Sequence, residues 1–113
     1  MKQYETWWAA LPRPIGRRPV LLLSRNDAYT YLTRFLVVEI TTIVRNIPQE
    51  LPLGRPEGLR RNCVANCDNV HTIPRDALKE RIGALAPVRQ HELKRALGQA
   101  LEWYELIGAS PVN

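Results

Sequence analysis

Arg17-Arg18-Pro19-Val20-Leu21-Leu22-Leu23-Ser24 joins two guanidinium groups directly to an apolar run. Pro14 and Gly16 bound it on one side, and Ser24, Arg25, Asn26 and Asp27 on the other. A short apolar run between turn residues is the pattern of a buried strand. An always-charged group therefore sits where a strand enters the core. Desolvating it without an anionic partner is costly, so a carboxylate of this chain or a bound phosphate is expected beside Arg18.

Outward from that strand the chain reads as a series of short strands. Tyr4 to Ala10, with Trp7 and Trp8, is expected as the first, and Leu11 to Gly16, with Pro12, Pro14 and Gly16, as the loop that delivers the central strand. A polar break through Arg25 to Tyr31 leaves room for a helical turn. Thr33 to Thr42 follows as a β-branched third strand, with Phe35, Val37, Glu39 and Thr41 on one face and Arg34, Leu36, Val38 and Ile40 on the other. Gln49 to Leu53, flanked or interrupted by Pro48 and Pro52, suits only a sheet edge, and Gly54 to Gly58 is a loop. Asn62 to Asp68 alternates legibly, with Cys63, Ala65 and Cys67 on a small apolar face. Pro74 to Leu78 predicts one helical turn, Arg81 to Leu85 a last strand, and Pro87 to Ile107 a helix ended by Gly108. Leu93, Leu97, Ala100, Leu101 and Tyr104 form its apolar stripe. Consecutive strands without βαβ alternation predict a mainly β (α+β) fold: a small, strongly curved antiparallel barrel with a C-terminal amphipathic helix, in one domain spanning residues 1–113.

Charge says more than size. Of 16 basic and 11 acidic residues, residues 1–61 hold ten and five, and residues 62–113 six and six. The whole +5 excess lies in the N-terminal half, and thirteen of the basic residues are Arg, the side chain suited to bidentate phosphate contact and base stacking. A one-sided basic surface points to nucleic acid. No apolar run approaches the roughly 18 residues of a membrane span and no secretory signal is visible, so a cytoplasmic protein without membrane contact is expected. Cys63 and Cys67 are too few for a disulfide framework and lack the second ligand pair of a zinc site, which leaves them as reduced core residues. There is no Gly-rich phosphate loop, Ser-His-Asp set, pair of catalytic carboxylates or His-rich cluster, so no metal and no cofactor is expected.

Five ordered blocks carry a resemblance. Trp7-Trp8-Ala9-Ala10-Leu11-Pro12, Gly16 to Arg25, Ile40-Thr41-Thr42, Gly58-Leu59 and Cys63 to Pro74 resemble the MazF/PemK toxins in order and spacing over nearly the whole chain. The resemblance implies an SH3-like barrel, shared with the CcdB gyrase poisons, a homodimer, cleavage of single-stranded RNA, and a cognate antitoxin with an acidic tail. It further implies Arg18 and Thr41 as catalytic residues, with Asp68 and Asn69 in the cleft. Arg13, Arg17, Arg45, Asn66 and His71 join these as candidate RNA-binding residues. His71 stands where the family often has Arg, and it is open to proton transfer, base stacking or a plain surface role. A poison of a protein target such as gyrase and a simple RNA-binding module remain as alternatives, although neither requires the Arg18 and Thr41 pair.

Overall fold

The structure, a computed structural model, describes residues 1–108. Six strands, β1 (Glu5–Leu11), β2 (Gly16–Leu22), β3 (Arg34–Thr41), β4 (Glu50–Leu53), β5 (Cys63–Pro74) and β6 (Leu78–Ala84), form one sheet in the order β4-β5-β3-β2-β1-β6. Every pairing is antiparallel. α1 (Ala28–Tyr31) links β2 to β3, and α2 (Gln90–Leu101) and α3 (Tyr104–Ile107) follow β6.

The centre of the sheet is buried on both faces, which is why β2 reads as an unbroken apolar run. Val20, Leu22, Phe35 and Val37 pack on one side with Ala9, Tyr29, Ile73 and Leu78. Leu21, Val38 and Ile40 pack on the other with Leu51, Ala65, Leu93 and Ala96, so α2 covers this second face. Each such side chain taken fully out of water contributes roughly 1.5–3 kcal/mol, making these the residues that set the register. Cys63 and Cys67 are buried free thiols in the second core, as expected.

Three expectations need correction. β5 continues to Pro74 instead of stopping at Asp68, because the pairing shifts between Val38↔Val70 and Glu39↔Asn66. Residues 67–69 bulge out where the shift occurs. Cys67 N–H donates to the Gln49 carbonyl at 2.9 Å and Asp68 N–H to Asn66 Oδ1 at 3.0 Å, so two N–H groups that leave the ladder at the bulge keep acceptors. The last strand starts at Leu78, earlier than Arg81, since Leu78 already pairs with Ala9. The long helix is interrupted as well: Pro87–Arg89 is a 3₁₀ turn, and α2 stops at Leu101 where Glu102 takes a left-handed conformation (φ 56°, ψ 37°). Trp103 N–H then donates back to the Gly98 carbonyl at 2.9 Å, closing the helix end and folding α3 onto α2. A Cβ on Gly98 would lie 2.8 Å from Leu106 Cβ, so this close approach needs glycine. Leu101 and Tyr104, placed in the buried stripe by periodicity, are 48% and 42% exposed.

A buried carboxylate joins the loop after β4 to the start of α2. Glu57 is 1% exposed, accepts Gly54 N–H at 2.7 Å, and pairs with Arg89 Nη1 at 3.2 Å. The Arg89 guanidinium is held protonated above its ordinary range, chiefly by its hydrogen bond to Glu92 and further by Glu57. Glu57→Ala is expected to destabilise the chain by about 2–3 kcal/mol, because a buried N–H loses its acceptor and a guanidinium its nearest buried partner. Urea unfolding should show the midpoint falling with the slope unchanged.

Candidate functional site

The site begins with a missing hydrogen bond. β2 and β3 pair at Leu22↔Val37, Leu21↔Val38 and Val20↔Glu39, and the same register continued would set Arg18 opposite Thr41. Pro19 has no N–H to donate, and the ladder stops at Val20. The freed strand ends leave the Arg18 side chain to bridge the gap, with Nη1 donating to Thr41 Oγ1 at 3.4 Å. That hydroxyl also accepts Ile43 N–H at 3.1 Å, which fixes it at the strand end. Arg18 and Thr41, expected together as the catalytic pair, are thus brought together by strand register.

The anionic partner expected for Arg18 comes from this chain. Glu39 is 8% exposed, with one carboxylate oxygen 3.7 Å from Arg18 Nε and the other 3.1 Å from His71 Nε2. His71 reaches it because its register partner is Val37, two residues from Glu39 on the same face, across the bulge of β5. Thr41, Arg18, Glu39 and His71 therefore form one continuous polar line at the rim of the sheet.

Arg18 and Thr41 also line a groove of about 750 Å³, together with Trp8, Arg17, Arg60 and Arg61. The Arg17 guanidinium lies 5.0 Å from the centre of the Trp8 ring and 3.8 Å from Glu80. Four arginines around one aromatic face make a wall suited to a phosphate backbone with an unstacked base. Of the other predicted RNA-binding residues, Arg13, Arg45, Asp68 and Asn69 are exposed, the last two on the bulge. Asn66 is 5% exposed and its side-chain oxygen accepts Asp68 N–H, so it shapes the bulge. Glu39, Trp8, Arg60 and Arg61 were missed. The signal for Glu39 was present, as the one charge inside a β-branched strand on the face shared with Thr41. Among the described residues no three His, Cys, Asp or Glu side chains converge as a metal site would require.

Residues 2–101 match the family of PemK-like, MazF-like toxins of type II toxin–antitoxin systems. The chain belongs to this family. It is 40% identical to the probable endoribonuclease MazF2 of Mycobacterium tuberculosis over 86% of this chain and 94% of that protein. It is likewise 40% identical to endoribonuclease MazF3 of the same species, over 76% of this chain and 85% of that one. Among solved structures, the M. tuberculosis toxin MazF-mt6 superposes with a TM-score of 0.81 at 36% identity, covering 87% and 96% of the two chains. A mycobacterial endoribonuclease in complex with its cognate antitoxin superposes at 0.78 with 25% identity, covering 90% and 95%. The curled six-stranded sheet with a C-terminal helix is the MazF fold that the sequence resemblance implied.

Cys63, although it lines the groove of this MazF-like chain, is not poised as a nucleophile. Burial pushes the Cys67 thiol up to about 12, and burial raises that of Cys63 too. A thiol pushed that high holds almost no thiolate at pH 8, so Cys67 should react with a disulfide reagent at least a hundredfold more slowly than free cysteine, Cys63 should also be slowed, and both should react at the ordinary rate in urea. A thiol-release assay with and without denaturant checks this.

Proposed function

We propose that the chain is an endoribonuclease toxin that cuts single-stranded RNA and is neutralised by a cognate antitoxin. The observation that carries this reading is the Arg18 fork set against the Thr41 hydroxyl at the mouth of an arginine-lined groove. The names of the relatives support it: two are endoribonucleases, and one neighbouring structure holds an endoribonuclease with its antitoxin. A poison that only docks on a protein target has no use for this pair.

RNA carries its own nucleophile. In-line attack of a 2′-hydroxyl on the adjacent phosphorus needs placement, neutralisation of the phosphorane-like transition state, and proton transfer. Arg18 presents Nη donors to two phosphate oxygens while its Nε edge faces Glu39, and Thr41 adds a neutral donor. Arg17, Arg60 and Arg61 attract the flanking phosphates. Two copies would double this groove, and Leu36 and Val70, which stay 47% and 43% exposed on the face they share with Val38, supply apolar area for a homodimer. The reading places the single toxin domain in the cytoplasm, where RNA is translated. No described helix is long and apolar enough to cross a membrane.

Cleavage is expected to proceed in excess EDTA and to leave a 2′,3′-cyclic phosphate and a 5′-hydroxyl. A substrate with 2′-deoxyribose at the cut site should bind and stay intact. Arg18→Ala should lower the rate on the order of a thousandfold or more, and Thr41→Val by less, since it removes one neutral donor. End-group analysis of RNA fragments with single-turnover rates checks all of these, and a magnesium requirement or full activity in Arg18→Ala refutes the assignment.

Sedimentation at micromolar concentration should show a dimer. RNA affinity should fall steeply with salt as the arginines release counterions. An acidic antitoxin peptide should displace RNA from the groove; a ternary complex without loss of affinity would rule this out.

A further inference from the structure

A guanidinium does not give up its proton near neutral pH, and a threonine hydroxyl is a poor base. The Arg18 and Thr41 pair therefore neutralises charge but leaves the proton of the attacking 2′-hydroxyl without an acceptor. We propose that Glu39 and His71 supply it: Glu39, as a positioning residue, holds the imidazole by Nε2, and Nδ1 of His71 is the general base. This rests on the ribonuclease reading of the same site.

The geometry supports the division of roles. A carboxylate only accepts hydrogen bonds, so with Nε2 at 3.1 Å from Glu39 Oε2 the neutral ring carries its hydrogen on Nε2 and its lone pair on Nδ1. Among the described residues the ring makes no other hydrogen bond. The His71 side chain is 24% exposed, against 11% for Glu39, whose two oxygens both face partners, so of the two the imidazole is the more open to a substrate. Arg18 and His71 sit on the two oxygens of one carboxylate, which sets phosphate clamp and base side by side at a fixed spacing. The same use of a carboxylate to fix an imidazole underlies acyl-transfer triads. The charged groups on the surrounding strands are Arg17 and Arg18 on β2, Arg34 on β3, Glu50 on β4 and Asp68 on β5, and Arg17 is turned to Glu80 and the Trp8 ring. Arg34 is engaged by the Thr72 carbonyl at 2.8 Å and Glu50 by the N–H groups of Arg45 and Asn46, and Asp68 is exposed on the bulge.

The step balances without a co-reactant beyond water. The 2′-oxygen forms a bond to phosphorus as the bond from phosphorus to the 5′-oxygen breaks. The 2′-hydroxyl proton passes to Nδ1, the departing 5′-oxygen takes one from water, and the ring then returns its proton to solvent.

The test is single-turnover cleavage of one RNA oligonucleotide by the wild type, His71→Gln, His71→Gly and Arg18→Ala, each first shown to be folded by urea titration. His71→Gln is expected to lose a hundredfold to ten-thousandfold in kcat with KM within a few-fold, and to change the shape of the pH–rate profile. Imidazole added to His71→Gly should restore cleavage in proportion to its concentration. Glu39→Gln, which keeps an acceptor for Nε2–H but loses the charge, should fall between wild type and His71→Gln. If His71→Gln stays within threefold of wild type, or loses rate with neither imidazole rescue nor a changed pH profile, while Arg18→Ala collapses, the proton-acceptor role is wrong and the ribonuclease reading stands. If the wild type is inert, the ribonuclease reading itself fails, and if Arg18→Ala cleaves as fast as the wild type, the site built on Arg18, His71 included, is wrong.

Discussion

Burying Glu39 beside Arg18 is the constraint on which the rest of the site depends. An ionised carboxylate at 8% exposure costs several kcal/mol to desolvate unless its lone pairs are met. Here Arg18 meets one oxygen and His71 the other. Each is delivered by a different strand, so the carboxylate ties β2 and β5 to β3 at the point where the apolar core ends. At 3.7 Å the Arg18 contact amounts to about 4 kcal/mol of Coulomb attraction at an effective dielectric of 20, and to much less after allowing for the third of the Arg18 side chain in solvent. One contact alone does not offset the desolvation, and the carboxylate is tolerable only because both are made.

Two local interruptions of the sheet create the room for these contacts. Pro19 ends the β2–β3 ladder, and residues 67–69 loop out of β5 with the N–H groups of Cys67 and Asp68 still hydrogen-bonded. An uninterrupted sheet would pair Arg18 with Thr41 through the backbone and bring β5 into the wrong phase for His71, since a one-residue slip moves a side chain to the other face. The bulge shifts the register by an odd number of residues, so Val64 and Asn66 share the face of His71 and Ile73.

The fold was legible where periodicity and burial coincide. The central apolar run, the alternation in β3 and the Cys63-Ala65-Cys67 face all place their residues on the sides found. Boundaries failed where a long-range contact overrides the local pattern. β5 looks finished at Asp68 because the polar pair Asp68 and Asn69 ends the alternation, and only pairing with β3 shows that the strand resumes. The helix looks continuous to Ile107 because nothing in Glu102 and Trp103 marks a left-handed turn, and Gly98, the sign of the close approach by α3, lies four residues earlier. In the site, Arg18, Thr41 and His71 were readable through ordered motifs, whereas Arg60 and Arg61 lie outside those motifs and join the groove from a segment distant in sequence. The bond from Asp68 N–H to the Asn66 side chain was not legible, because a polar side chain in a motif can serve the backbone's own turn.

Charge balance explains why a buried acid can sit in a site built to attract phosphate. Glu39 cancels Arg18 to first order, which leaves the Arg18–Glu39 pair close to neutral and cheap to keep folded in the absence of a ligand. Arg17, Arg60 and Arg61 stand outside that pair and give the groove its net positive field, only partly offset by Glu80. A transition state that gathers extra negative charge on phosphorus therefore gains from Arg18 without having to break its contact with Glu39, because the guanidinium uses Nε for the carboxylate and keeps its Nη donors for oxygen. A lysine at position 18 could not divide its donors in this way: one compact ammonium would have to serve both the carboxylate and the phosphate from a single point, and the more buried anion would hold it.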